Sequence, residues 1–219
     1  MSTLKVGAIQ STTGNAAVTV ANNGNLTIPG NLSVTGTGGG TRVLMRKVTI
    51  TSNTSSVEFI HGSNGVVLDT TYSRHEITID SAVPVTDGQQ INLYLSSNGG
   101  TSYHGDSAYN STYHRHYSNG SSHGNDHGYV NDFALNHDQG GHATINRGGT
   151  TGTIIVDNLG VAHRTVFNGQ FFGYGASGYY IHTNSIGTVE SNGDTFNALK
   201  IRFRSGDIAR GVFKIYGVV

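Results

Sequence analysis

The chain has 219 residues, enough for one domain or one domain with an appendage, and its 13 basic and 13 acidic side chains cancel to a formal charge of zero. Charged residues make up only 12% of it, cysteine is absent, and Gly, Ser, Thr and Asn (32, 21, 25 and 20) form close to half of the chain. These figures exclude disulfides, thiol nucleophiles and zinc ribbons and remove any global attraction to nucleic acid. With only 3 Glu, 4 Lys and 10 Leu they also argue against helical bundles and alternating α/β folds, and for an all-β protein with many turns. No apolar run reaches about 18 residues and no basic-then-apolar leader opens the chain, so neither a membrane span nor a secretory peptide is expected. At 35% hydrophobic residues the core must be economical: a thin sandwich, an oligomer, or both.

Residues 1–42 read as a stalk and joint. Val18 and Val20 alternate with Thr19, and then one six-residue pattern is written twice, Gly24-Asn25-Leu26-Thr27-Ile28-Pro29 and Gly30-Asn31-Leu32-Ser33-Val34-Thr35. In each hexad the two apolar residues lie two apart and share one face of a short strand, with Gly-Asn pairs as turns. Full burial of Leu26, Ile28, Leu32 or Val34 is worth about 1.5–3 kcal/mol each, which a lone ribbon cannot provide but symmetric copies can. Val18, Val20, Leu26, Ile28, Leu32 and Val34 are therefore the expected oligomerisation residues; the competing reading is a disordered tail. The glycine-rich run at 36–40 reads as a flexible joint.

Residues 43–219 read as the globular part. Strands are expected at Val43–Ile50, Val57–Ile60, His75–Asp80, Ile91–Ser96, Thr153–Val156, Arg164–Gly173, Tyr179–Thr183, Leu199–Arg204 and Val212–Val218. Asn64-Gly65, Asp87-Gly88, Asn98-Gly99-Gly100 and Asn192-Gly193 supply turns between them. Many short strands with turn signals predict an antiparallel, jelly-roll-like β-sandwich, an immunoglobulin pattern lacking its Cys and Trp. The end of the chain reads as a hairpin. Leu199, Ile201 and Phe203 face the core, Lys200, Arg202 and Arg204 face water, and Phe213 and Ile215 point inward on the return.

One segment breaks this regularity. Residues 97–147 hold few aliphatics but five of the eleven Tyr and seven of the eleven His, and read as a long Tyr/His-rich insertion, a solvated polar loop. Its composition is that of adaptable binding loops, in which Tyr supplies contact area and the small residues flexible hydrogen bonding, and aromatic faces with Asn and His donors suit sugar rings. Tyr103, Tyr109, Tyr113, His114, Arg115, His116, Tyr117 and Tyr129 are the candidate receptor-binding residues. The alternatives to recognition are an inter-subunit contact and a surface with no role.

The opening Met1–Val6 with Ile9-Gln10, the Gly-Asn-Leu hexads, Ile91–Leu95 with the turn to Tyr103, and the ending from Leu199 through Ser205-Gly206-Asp207-Ile208 to Gly217 resemble virion proteins of tailed bacteriophages, marine ones in particular. The likeness covers about half the chain. It implies a β-rich, often trimeric fibre or decoration protein on a particle surface, made in the host cytoplasm, bound to other virion proteins through its N-terminus.

Chemistry beyond recognition is sparse. His114-Arg115-His116 places two imidazoles on one strand face, so three copies around an axis offer six to a transition metal; His114 and His116 are the only metal candidates. His123 and His127, four apart, would meet on a helix that Gly124 and Gly128 disfavour. With Glu58, Glu76 and Glu190 the only glutamates, a two-carboxylate glycosidase is not expected, and no catalytic residue or cofactor is assigned. The basic stripe Lys200, Arg202, Arg204, with Arg210 and Lys214, lacks an aromatic platform and reads as a solvated face rather than a nucleic-acid site, the alternatives being contact with a phosphorylated or acidic surface glycan or with an acidic neighbouring subunit. The combined expectation is a non-enzymatic homotrimeric virion protein attaching to host glycan, without membrane insertion. The alternatives are a capsid decoration protein or head fibre, and a free carbohydrate-binding module.

Overall fold

The structure, a computed structural model, describes residues 42–105, 108–139, 149–176, 178–189 and 193–219, with 124–129 and 137–139 as backbone only, and three short backbone strands before them. The chain divides into two compact units, Met1–Gly40 and Thr41–Val219. In the first, β1 (Ala8–Gln10), β2 (Ala16–Val20) and β3 (Leu26–Thr27) form an antiparallel sheet in the order β1-β2-β3, pairing Ile9 with Val18 and Leu26 with Val20. Val18, Val20 and Leu26 thus sit on strands; Ile28, Leu32, Val34 and the glycine joint lie outside the described residues.

The second unit is all-β, as the composition requires. Its strands are β4 (Arg42–Ile50), β5 (Val57–Ile60), β6 (Arg74–Pro84), β7 (Gln89–Ser96), β8 (Tyr109–Tyr117), β9 (Ser122–Val130), β10 (Phe133–Gln139), β11 (Thr150–Asp157), β12 (Thr165–Tyr174), β13 (Tyr180–Val189), β14 (Ala198–Phe203) and β15 (Ile208–Val218). They form two antiparallel sheets, an eight-stranded one ordered β4-β15-β6-β11-β12-β13-β8-β9 and a four-stranded one ordered β10-β7-β14-β5. Inward residues of both, among them Phe59, Leu93, Leu199 and Ile201 from the smaller sheet and Ile77, Ile154, Phe167, Phe171 and Phe213 from the larger, share one buried apolar cluster. This unit is a β-sandwich, and period-two patterning places each strand's apolar set inside it.

The ending is not a hairpin. Leu199, Ile201, Phe203, Phe213 and Ile215 are buried as the alternation requires, but β14 pairs with β5 and β7 while β15 pairs with β4 and β6. The turn through Gly206, whose φ of +73° suits glycine, carries the chain from one sheet to the other. The basic stripe is split accordingly: Lys200, Arg202 and Arg204 belong to the four-stranded sheet, and Arg210 and Lys214 to the other. Nor is 97–147 one long loop. It supplies β8, β9 and β10, and Tyr109, Ser111 and Tyr113 on β8 are buried together with Phe133 and Leu135 on β10. Phe133 stacks on Phe167 of β12 at 4.7 Å between centroids.

Three side chains tie the insertion across the sandwich. The Tyr109 hydroxyl accepts the Leu95 amide at 2.7 Å, the Thr183 hydroxyl donates to Asn136 Oδ1 at 2.6 Å, and the Ser185 hydroxyl donates to the Leu135 carbonyl at 3.3 Å. β10 ends its pairing with β7 at Phe133 opposite Leu93, so the Leu95 amide would be unpaired in the core without Tyr109. Burial raises the Tyr109 pKa, which keeps that phenol neutral.

Candidate functional site

The described candidate residues separate into three places. Tyr109 and Tyr113 are core residues, 0% and 4% exposed, and are corrected from the receptor-binding set: with Ser111 they form the inward face of β8. His114 and His116 point outward on the same strand, while Arg115 lies near the Tyr113 and Tyr117 rings at 5.0 and 5.8 Å. Tyr103 stands on the four-stranded sheet. The side chain of Tyr129 is outside the described residues.

The largest set of exposed apolar side chains lies on the outer face of the eight-stranded sheet. Register places Thr151, Phe172, His182, His116 and Ser122 on one rung across β11, β12, β13, β8 and β9. Phe172 and His182 stack at 4.6 Å with 14° between planes, and His182 and His116 follow at 6.2 Å and 23°. Tyr174 and Tyr180 meet edge to face at 5.0 Å on the next rung. The strand ends are pinned there: the Ser118 amide donates to the Tyr180 carbonyl, and the Tyr180 amide to the Ser118 hydroxyl. Together His116, Tyr117, Phe172, Tyr174, Tyr180 and His182 line a cleft of about 470 Å³, and among the described lining residues none is Lys, Arg, Asp or Glu. Phe172 is 57% and Tyr180 69% exposed.

The adjoining rungs carry mostly polar side chains around Ile186. Gln170, Asn184 and His114 share one, Asn168, Ile186 and Thr112 the next. His182 Nε2 and Asn184 Oδ1 have no hydrogen-bond partner in the described structure. A flat array of aromatic rings beside amides and hydroxyls can accept an uncharged polar ring, stacking on its C–H face and bonding its hydroxyls.

Phe172, Tyr174, Tyr180 and His182 were not among the residues singled out from sequence. A signal exists at Phe171-Phe172, where two large side chains are adjacent and a strand sends neighbours to opposite faces, so one of them had to leave the core; Tyr179 and Tyr180 are both exposed and give no such signal. His114 and His116 share the outer face of β8, with His116 stacked beside His182, and among the described residues no three His, Asp or Glu side chains form a metal-binding group.

The four-stranded sheet carries a different outer face. Glu58, Lys200 and Tyr94 share one rung, and Arg202 faces Asn92 on the next. Lys200 Nζ lies 3.7 Å from the Tyr103 ring centre and 5.5 Å from that of Tyr94, and the Arg202 guanidinium 5.1 Å from Tyr94. The basic stripe therefore does have aromatic neighbours, contrary to the sequence reading: Tyr94 comes from β7 and Tyr103 from the loop beyond it, joined to Lys200 only by strand pairing. Burial and the Glu58 charge raise the Tyr103 pKa, and burial with the neighbouring Arg202 charge lowers that of Lys200.

Comparison with known proteins returns no match: no family model, no curated protein and no solved structure is similar to this chain.

Proposed function

We propose that this chain is a non-enzymatic virion surface protein whose sandwich attaches to a neutral saccharide through the cleft at Phe172, His182 and Tyr180. The observation that carries the saccharide reading is the exposed aromatic rung, in a face without charged side chains among its described lining residues. Leaving Phe172 and Tyr180 in water forgoes burial worth about 1.5–3 kcal/mol for a full aromatic side chain, a cost that a ligand covering them removes. The virion setting rests on the resemblance of the opening, the hexads and the ending to phage structural proteins.

The sandwich itself is proposed to be a jelly roll with two insertions. Taken alone, β4, β15, β6 and β11 form one four-stranded sheet and β5, β14, β7 and β10 the other, the two-Greek-key order; the hairpins β8-β9 and β12-β13 widen the first sheet and build the cleft. The N-terminal unit is the proposed assembly and anchoring device of a homotrimer.

Deleting 104–142 would remove three strands, so the test uses point substitutions. Isothermal titration of the full chain against a panel of neutral oligosaccharides is expected to find a binder whose affinity falls at least tenfold in Phe172→Ala and Tyr180→Ala, with unchanged thermal melts. Binding that survives both substitutions overturns the cleft assignment, as does a panel without a binder.

A second reading has its own observation. Val166 and Ile186, 36% and 52% exposed, are further exposed apolar side chains on the same face beyond the Gln170, Asn184 and His114 rung, as a subunit interface would present. Light scattering separates the two: dissociation of the assembly by Phe172→Ala supports the interface, and dissociation by removing residues 1–42 supports the N-terminal unit.

A further inference from the structure

We propose that the cleft on the four-stranded sheet is a second binding site, specific for an anionic sugar bearing a carboxylate or sulfate group. Tyr94, Tyr103, Asp132, Lys200, Arg202 and Arg204 line a recess of about 510 Å³ on the opposite side of the sandwich from the aromatic cleft. Lys200, Arg202 and Arg204 alternate along one edge of it, about 7 Å apart by the rise of two strand residues.

The charge pattern is what distinguishes this cleft. On the larger sheet Arg42 pairs with Glu76 at 2.7 Å, Arg74 with Asp157 at 3.2 Å and Lys214 with Asp80 at 2.7 Å, while Arg46, Lys47, Arg115 and Arg210 form no ion pair among the described residues and do not line one recess together. Among the described residues, Lys200, Arg202 and Arg204 form no ion pair. Lys200, Arg202 and Arg204 repel one another where they converge, only partly offset by Glu58 beside Lys200 and by Asp132 in the lining, and burial first, then the Arg202 charge, lowers the Lys200 pKa. An anion between them relieves the repulsion, and a guanidinium presents the paired donors that a carboxylate or sulfate accepts. A recess in which three Lys and Arg side chains outnumber one carboxylate also favours an incoming anion.

The rings and the rim narrow the ligand class. Lys200 covers Tyr103 and Arg202 lies over Tyr94, so the ring faces are occupied by cations and are not a stacking platform for nucleobases. The cations are thereby held in place before a ligand arrives, which lowers the ordering cost of binding. At the rim, Asn131 and Asp132 add side-chain oxygens, with the Tyr94 hydroxyl donating to Asp132 at 3.4 Å. Cations beside neutral and acidic acceptors match a ligand that carries one negative group and several hydroxyls. A long polyanion would meet the Asp132 carboxylate.

The experiment is titration of the full chain with a panel of uronic, sialylated and sulfated oligosaccharides, with the methyl esters of the uronic acids as uncharged counterparts. Binding of an acidic member is expected, at least tenfold weaker for its ester and for Arg202→Gln, weaker still for Lys200→Gln with Arg202→Gln, and reduced between 50 and 300 mM salt. Phe172→Ala is expected to leave this binding unchanged, which separates its failure from failure of the aromatic cleft. Absence of binding across the panel overturns the proposal, as does equal affinity for acid and ester. Inorganic sulfate binding as tightly as the best sugar makes it a bare anion site, and a single-stranded oligonucleotide outcompeting every sugar makes it a nucleic-acid site; either result overturns the saccharide assignment.

Discussion

The two outer faces of the sandwich share a core and differ in almost everything else. On the eight-stranded sheet Arg42, Arg74 and Lys214 are paired and the aromatics at the cleft are bare; on the four-stranded sheet Tyr94 and Tyr103 lie beside cations, and Lys200 and Arg202 form no ion pair. The difference comes from which strands lie side by side. Where Tyr falls beside Lys or Arg, a cation takes the ring face, and where Phe falls beside His, the rings take each other. A single composition, poor in charge and rich in small polar residues, thus yields two surfaces suited to ligands of opposite character.

The largest effect should come from the element both faces depend on. Phe133 is wholly buried and stacked on Phe167, so Phe133→Ala is expected to cost about 3–5 kcal/mol, read from urea melts, and to weaken both binding sites together. If only one site weakens, the shared-core picture fails. Next, exchange of single surface residues should break the faces separately: Phe172→Ala lowers neutral-sugar affinity at least tenfold, about 1.4 kcal/mol, while changing stability by only about 0.5 kcal/mol, because that side chain is 57% exposed.

A third prediction concerns pH. His75 is buried on β6 with its Nε2 2.9 Å from the Val67 carbonyl, and burial lowers its folded pKa below the usual 6.5. The unfolded chain then takes up the proton first as pH falls. Stability from this group is complete above about pH 6.5 and declines below it, by at most about 1.4 kcal/mol per pH unit, until the folded pKa is reached. His75→Gln should flatten that decline in melts between pH 7.5 and 5. A slope unchanged by the substitution would move the acid sensitivity elsewhere. The smallest effect is expected at the paired cations: Glu76→Gln removes the Arg42 ion pair and should cost about 0.2–1 kcal/mol, since Arg42 also lies 3.6 Å from the Tyr216 ring centre.

Much of this was legible residue by residue. The inward faces of β6, β12, β14 and β15 follow from alternation, and turns were readable where glycine takes positive φ, as at Gly88 and Gly206. β8 was also written in plain alternation, with Tyr109, Ser111, Tyr113, Arg115 and Tyr117 on one face. Its polar composition concealed that Tyr109, Ser111 and Tyr113 point inward while the face turns outward again by Tyr117, because a Tyr goes inside when its hydroxyl has a partner there. The candidate sites were less legible: His116 was singled out, but Phe172, His182 and Tyr180 come from strands distant in sequence.

The sequence by itself determined an all-β chain, the side of each strand that turns inward, and where the chain turns, because these depend on the geometry of neighbouring residues. Only the tertiary structure decided that β14 and β15 part into different sheets, that β8 lies against β13, and that Tyr103 stands under Lys200. Strand pairing is a non-local choice, set by how two whole faces close on one core, and no short stretch of sequence records its partner.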